Sequence, residues 1–437
     1  MTNPKPGSRV EIVTKKQVFS GILVPSPESS DDVILLKLDS GYNIGLRKDK
    51  ITDLRLLELP PKTEAKEQPH ISSDDRLPTI AILHTGGTIA SRVDYRTGGV
   101  VARFDPDEML DLFPGIKGMA NFKSRQVAQI MSEEIRFPHY NIMAEAIKQE
   151  IESGVDGVIV THGTDTLHYS AAALGFMLQS VPVPVLLVGA QRSSDRGSTD
   201  AQVNLISAVY FATHSDYSGV AICMHDSSSD ESAWIIGPFN TRKLHTSRRD
   251  AFRPVNSSPI ARVYPRQQRI LFIEKNYALR DKTRQLTATK IDENLKIGFL
   301  KTHPNMYAEE VLAYSGFDAL IIEGTGLGHF PSTKIDEYTS ENKKIFNAVE
   351  KLAKDGTVVA IAPQTIFGRV QLSVYSNARE IRKIGVLGHL CDMTSETAFI
   401  KITWLLSNYP REEARELYEK NLFGEISERS AVSNFLV

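Results

Sequence analysis

The sequence predicts an α/β protein with two α/β domains, each built on a mostly parallel sheet, preceded by a small all-β barrel. Two observations lead to this prediction. Short β-type runs separated by turn residues fill the first sixty residues, and apolar strands alternate with helical segments from Pro78 onward. Between them, residues 61–77 are polar, charged and interrupted by two prolines, which is typical of a linker. A length of 437 residues suits several domains.

The N-terminal module, residues 1–60, is predicted to be a small barrel of the SH3 or Sm type. Several short strands in so little sequence favour a closed barrel, because closure removes exposed sheet edges. Barrels of this size often contact RNA or protein, and a docking or spacer role is an equally open interpretation. The predicted strands are Arg9–Val13, Gln17–Val24, Val33–Leu38, Asn43–Leu46 and Ile51–Leu57.

The α/β body is expected to divide into residues 78–280 and 290–437. Apolar strands that alternate with helices predict parallel sheets covered on both faces, with sites at the carboxyl ends of the strands. The first part has predicted strands at Thr79–His84, Val155–Thr161, Val183–Val188 and Gly219–Met224, and helices at 168–179 and 199–212. The second has predicted strands at Ile297–Lys301, Ala319–Glu323 and Val358–Ile361, and helices at 341–354, 395–406 and 411–419.

The composition argues against several classes of protein. A formal net charge of -2 and a pI near 6.6 do not mark a nucleic-acid binder. The only cysteines, Cys223 and Cys391, exclude a disulfide framework and match no metal-ligand spacing. The first residues contain no apolar signal-type stretch, and no apolar run is long enough to cross a bilayer. We therefore expect a soluble, cytoplasmic protein without membrane contact.

The first motif with chemical potential is His84–Ala90, HTGGTIA, directly after a predicted strand. Its glycines allow a sharp turn and close backbone approach to a ligand, and Thr88 places a hydroxyl there. Such a hydroxyl becomes a nucleophile when it has a nearby base and donors for an oxyanion. A tight turn capped by threonines is the alternative interpretation.

The second motif is Thr161–Thr166, THGTDT, again after an apolar strand. Asp165 and Thr166 could simply cap the helix that follows. A hydroxyl beside a carboxylate is also an arrangement that acyl-transfer sites use. Both interpretations stay open from this motif alone.

Together the two motifs resemble the asparaginase and glutaminase family, whose strand-end sequences TGGTIA and HGTDT hold its two catalytic threonines. The resemblance extends over nearly everything after residue 78. It includes Gly189–Arg192, GAQR, and Asp392–Ala398, DMTSETA. It implies asparaginase-type α/β domains and release of ammonia from glutamine or asparagine.

Carried over by motif, the resemblance assigns the catalytic roles. Thr88 matches the nucleophile, and Thr164 and Asp165 match the second threonine and its neighbouring aspartate. Lys243 matches the family's lysine ahead of an Ala-Phe pair, here Ala251-Phe252. A lysine beside a hydroxyl and a carboxylate can act as a base when its pKa is lowered.

The resemblance also implies substrate-binding residues. Ser132 matches the serine that holds the α-carboxylate of the substrate, and Glu133 is a candidate for the α-amino group. Gly87 belongs to the turn whose backbone N–H groups would hold the oxyanion. Tyr95 is the candidate for a tyrosine on a mobile lid, although the lid spacing differs. The implied reaction forms an acyl-enzyme on Thr88, releases ammonia and is completed by water, without a metal.

The N-terminal module ahead of an asparaginase-like body is similar to the arrangement in archaeal tRNA-dependent amidotransferases. That similarity implies a partner, the amidotransferase E subunit, which would use ATP and Mg and hold most of the tRNA(Gln). It further implies a homodimer that becomes a heterotetramer with the partner. Two alternatives remain: a free-standing L-asparaginase, and a catalytically silent scaffold or RNA-binding adaptor.

Overall fold

The computed structural model describes most of the chain, and everything below refers to those residues. They are 4–24, 32–39, 42–58, 74–86, 91–93, 100–102, 114–192 and 199–435.

The N-terminal part is an antiparallel sheet that pairs in the order β4-β3-β2-β1-β5. Its core is small: Val10, Ile12 and Leu36 are fully buried and are surrounded by half-buried neighbours. The all-β prediction is confirmed. Within the described residues no ladder joins β4 to β5, so the hydrogen-bonded sheet remains open there. The strands are β1 Arg9–Thr14, β2 Val18–Val24, β3 Val33–Leu38, β4 Asn43–Arg47 and β5 Ile51–Glu58.

The chain enters the α/β body at Asp74, inside the stretch predicted to be a linker. The Asp74 backbone N–H donates to Asn121 Oδ1 at 3.0 Å, and Asn121 Nδ2 donates back to the Asp74 carbonyl at 2.8 Å. Residues 74–77 are therefore docked on the body.

The first α/β part is built on a large sheet in which parallel and antiparallel strands follow each other. The order is β18-β17-β14-β13-β12-β10-β6-β9, with parallel pairing from β13 to β9 and antiparallel pairing from β13 to β18. Its strands are β6 Thr79–His84, β9 Asn121–Gln126, β10 Gly157–Thr161, β12 Pro184–Val188, β13 Gly219–His225, β14 Ala233–Ile236, β17 Ala261–Tyr264 and β18 Arg269–Phe272. Short pairs lie outside it: β7 Ser91–Val93 with β8 Val100–Ala102, β11 Leu178–Gln179 with β19 Thr287–Ala288, and β15 Thr241–Lys243 with β16 Phe252–Pro254.

The central strands are parallel because helices cover both faces of the sheet. Every residue of β10 and β12 is buried, as expected for strands that have no solvent face. The helices of this part are Phe137–Glu152, Leu167–Met177 and Ala201–His214. Leu167–Met177 is buried along nearly its whole length, since it also packs against the second α/β part.

The second α/β part has a parallel sheet in the order β20-β21-β22, formed by Ile297–Lys301, Ala319–Gly324 and Val358–Pro363. Its helices are Ala308–Leu312, Ser340–Lys354, Ser376–Lys383, Ser395–Asn408 and Arg411–Tyr418. The predicted α/β fold with mostly parallel sheets is confirmed. Among the described residues, no helix is long and apolar enough to span a bilayer.

Aromatic side chains join the two α/β parts. Phe176 stacks on Trp404 with ring centroids 5.5 Å apart and contacts Phe239 at 4.5 Å. Trp404 is almost fully buried and its indole N–H donates to Thr289 Oγ1 at 2.8 Å. Truncating such a side chain typically costs about 3–5 kcal/mol, so this contact holds the halves in a fixed relation.

Candidate active site

The two motif-bearing turns leave the carboxyl ends of neighbouring parallel strands. In the β6–β10 ladder Thr161 lies opposite His84, and in the β10–β12 ladder it lies opposite Val188. The turns after these three strands therefore meet at one edge of the sheet, as the sequence predicted.

The turn after β6 is aimed by contacts at its start. The Thr85 backbone N–H and Oγ1 both donate to the Thr161 carbonyl, at 3.1 and 3.0 Å. Gly86 has φ +104°, and a Cβ there would lie 2.5 Å from the Ile130 carbonyl oxygen. Glycine is therefore required at this position. The predicted nucleophile Thr88, together with Gly87 and Tyr95, lies outside the described residues.

The structure brings Lys243, Thr164 and Asp165 together although Lys243 is far away in sequence. Lys243 Nζ donates to Thr164 Oγ1 at 3.0 Å and to Asp165 Oδ1 at 2.7 Å. The lysine side chain is 10% exposed, whereas that of Asp165 is 62% exposed. The ammonium group thus lies under the turn, and the carboxylate faces the open side of the site.

Ser132 lies directly beneath the same turn. Its Oγ accepts the backbone N–H of Asp165 at 3.2 Å, and its carbonyl accepts the hydroxyl of Thr166 at 2.6 Å. A Cβ on Gly163 would come within 2.8 Å of Ser132, so the two segments are in van der Waals contact. Thr166 precedes the helix but makes no capping hydrogen bond with its side chain. The helix-cap interpretation of Thr166 is therefore wrong.

Glu133 lies differently. Its neighbour Ser132 is buried, but Glu133 itself is exposed on the 3-10 turn Ser132–Glu134. Among the described residues it makes no hydrogen bond to Lys243, Thr164 or Asp165. Its proposed contact with a substrate ammonium remains a prediction.

A third turn, Gly189–Arg192, packs against Thr164 and is held by residues that sequence reasoning missed. A Cβ on Gly189 would lie 2.8 Å from Thr164 Cγ2. Asp200 accepts the backbone N–H groups of Gln191 and Arg192 at 3.0 and 3.1 Å, and Asn204 Nδ2 donates to the Gly189 carbonyl at 3.0 Å. The i, i+4 spacing of Asp200 and Asn204 at a helix start was the available signal.

The buried histidines of the motifs are structural. Burial lowers the pKa of His84 to about 4, and its nitrogens lie 2.9 Å from Thr161 Oγ1 and 2.9 Å from Ser124 Oγ. Burial also lowers the pKa of His162 to about 4, and its Nδ1–H donates to the Gly163 carbonyl at 2.6 Å. Both rings are neutral near pH 7, and they tie strand ends and turns together.

Family models match the chain in three consecutive segments. They are described as "GatD N-terminal domain" over residues 5–57, "Asparaginase, N-terminal" over 79–277 and "Glutaminase/Asparaginase C-terminal domain" over 296–418. The D subunit of the glutamyl-tRNA(Gln) amidotransferase of Methanococcus maripaludis is 41% identical over 428 residues, covering 97% of this chain and 98% of that protein. That of Pyrococcus furiosus is 39% identical, covering 97% of this chain and 94% of that protein.

The chain belongs to the family of glutamyl-tRNA(Gln) amidotransferase D subunits. This family assignment confirms the resemblance deduced from the motifs. Among solved structures, the thermostable L-asparaginase from Thermococcus kodakarensis superimposes with a TM-score of 0.70 at 28% identity, covering 80% of this chain and 100% of that chain. Members of this amidotransferase family thus combine an asparaginase-type body with an additional N-terminal domain.

Proposed function

We propose that this chain releases ammonia from glutamine or asparagine through an acyl-enzyme on Thr88. The observation that supports it is the two-point contact of Lys243 Nζ with Thr164 Oγ1 and Asp165 Oδ1, at 3.0 and 2.7 Å. A cation shared by a hydroxyl and a carboxylate can move a proton between a nucleophile, a leaving group and water.

In the proposed reaction the Thr88 hydroxyl attacks the side-chain amide carbon of the substrate, and the proton it loses passes to the leaving nitrogen. Ammonia departs and leaves an ester on Thr88. A water molecule then attacks the ester, with Thr164, Asp165 and Lys243 relaying its proton, and the free acid and the Thr88 hydroxyl are regenerated. Backbone N–H groups of the turn that includes Gly87 would stabilise the oxyanion in both steps.

Substrate binding is assigned to the floor and rim of the site. Ser132 Oγ accepts the Asp165 N–H, so its own hydroxyl hydrogen is free to donate to the α-carboxylate of the substrate. The exposed carboxylate of Asp165, and Glu133 beside it, suit an α-ammonium group. Tyr95 is the proposed lid residue.

The relatives' name carries the proposal one step further. We infer that the ammonia is used by a partner, the amidotransferase E subunit, which converts Glu-tRNA(Gln) to Gln-tRNA(Gln) with ATP and Mg and binds the tRNA. The chain's formal net charge of -2 fits this division, because phosphate binding depends on dense positive charge. A cytoplasmic homodimer that joins the partner as a heterotetramer is the proposed assembly.

Ammonia release by the purified chain tests the proposal. Wild-type protein, Thr88→Ala and Thr164→Ala would be assayed with glutamine and asparagine, each alone and with Glu-tRNA(Gln) and the purified partner. We expect release that depends on both threonines. Turnover equal with and without the partner would favour the free-standing asparaginase, and no turnover under any condition would favour the silent scaffold.

A further inference from the structure

The Asp392–Ala398 segment, which the proposed reaction leaves without a role, packs against the hairpin that carries Lys243. The segment begins the helix Ser395–Asn408 of the second α/β part, and Thr394 Oγ1 caps that helix by accepting the Thr397 N–H at 3.2 Å. Thr397 Oγ1 in turn donates to the carbonyl of Phe239, just ahead of the hairpin. The start of this helix is therefore fixed to the chain that leads to Lys243.

Glu396 makes the second contact of this segment, with Arg242. Its Oε1 lies 3.0 Å from Arg242 Nε, and the two side chains are 6% and 24% exposed. His168 Nε2 lies 3.9 Å from the same oxygen. Burial alone would raise the pKa of Glu396, but His168 and Arg242 outweigh burial and hold this pKa below its ordinary value of 4.5. The carboxylate is therefore charged near neutral pH.

Arg242 and Lys243 are consecutive residues of β15, so their side chains leave opposite faces of that strand. One face is held by Glu396, and the other presents Lys243 Nζ to Thr164 and Asp165. The cross-strand neighbour of Lys243 is Phe252, whose ring meets His168 edge-on at 6.2 Å. Gripping the strand on its Arg242 face thus fixes its rotation, and with it the position of the lysine.

We propose that Glu396 is a positioning residue, which holds Lys243 against Thr164 and Asp165 by gripping Arg242. The proposal rests on the proposed function, since it gives Lys243 a task in the reaction. Within the described residues Glu396 has no hydrogen bond to Thr164, Asp165 or Lys243, and Arg242 has no other ion pair. Glu396 therefore acts through Arg242. Without its charge the short β15–β16 hairpin loses its anchor and the lysine loses its fixed position.

The same helix provides a matched control. Lys401 and Glu425 form an ion pair of 2.6 Å in which both side chains are fully buried. Glu425→Gln removes a buried carboxylate charge from a partner on the helix Ser395–Asn408, as Glu396→Gln does from its neighbours. Neither Lys401 nor Glu425 contacts the hairpin among the described residues. Both variants should lose stability, but only one should disturb Lys243.

The test compares wild type, Glu396→Gln and Glu425→Gln as full-length chains at a temperature where all three are folded. The first measurement is the rate at which an amine-acylating reagent modifies Lys243, followed by peptide mass spectrometry. The second is the kcat and KM of ammonia release from glutamine and asparagine. The first measurement needs no turnover, so the positioning role is decided even if the proposed function fails.

We expect Glu396→Gln to modify several-fold faster at Lys243, and to lose about 10- to 100-fold in kcat with KM nearly unchanged, because small misplacements of a proton-transfer group have such effects. Glu425→Gln should match wild type in both measurements. Unchanged modification of Lys243 in Glu396→Gln would overturn the proposal, as would an equal increase in Glu425→Gln. Faster modification with unchanged kcat would support the positioning role and refute the role of Lys243 in the reaction.

Discussion

Replacement of Lys243 by methionine should separate catalysis from stability. Methionine keeps the length and apolar stem of the side chain but removes the donors to Thr164 at 3.0 Å and Asp165 at 2.7 Å. Because the Asp165 side chain is 62% exposed, the lost ion pair should lower the free energy of unfolding by no more than about 1 kcal/mol. Loss of a proton relay, in contrast, should lower kcat by about 10²- to 10⁴-fold, which corresponds to roughly 3–5 kcal/mol in the activation free energy.

The assay is initial-rate ammonia release at saturating glutamine or asparagine, together with urea unfolding of the same samples. Lys282→Met is the control, since Lys282 Nζ makes a comparable contact of 2.6 Å with Asp156 away from the site. The control should keep full activity. The reasoning fails if Lys243→Met keeps more than about a tenth of the wild-type kcat, since general acid–base groups contribute more than that.

Two further perturbations probe the supports of the site. Gly189→Ala should lower kcat by about 10- to 100-fold, because its new Cβ would lie 2.8 Å from Thr164 Cγ2. Gly237→Ala, whose Cβ meets nothing within 4 Å, should be silent in the same rate assay, and equal rates for both variants would contradict the packing argument. Stability should fall on acidification between pH 6.5 and about pH 4, because the unfolded chain binds a proton at His84 that the folded protein does not. In urea titrations His84→Gln should remove about 2 kcal/mol of the loss between pH 7 and pH 5, and an unaltered pH dependence would refute this.

The framework of the site could be predicted from sequence because apolar runs mark strands and polar motifs follow them directly. Thr79–His84 and Ile297–Lys301 have their predicted bounds, and the turn holding Thr164 and Asp165 lies where a strand end places it. The parallel order then brings neighbouring turns together without any knowledge of distant contacts.

The remaining parts depend on contacts between residues that are far apart in sequence. Lys243 lies on the three-residue strand Thr241–Lys243, too short for any periodicity, and only the motif resemblance indicated it. The ion pair of Arg242 with Glu396 joins the two α/β parts, so no local pattern could reveal it. The antiparallel strands β14, β17 and β18 were missed for a related reason, since each has only four residues. The helix Phe137–Glu152 was missed too; its N-cap, Arg136, is not a residue that signals a helix start.

The close contact of Gly163 with Ser132 and of Gly189 with Thr164 has a consequence for protein engineering. Both glycines stand where a single added carbon would lie 2.8 Å from a site residue, so the floor contains no spare volume for new side chains. The exposed Glu133 and Asp165 form the only wall among the described site residues that faces solvent. Attempts to change which amide is accepted should therefore randomise this acidic rim and leave both glycines untouched.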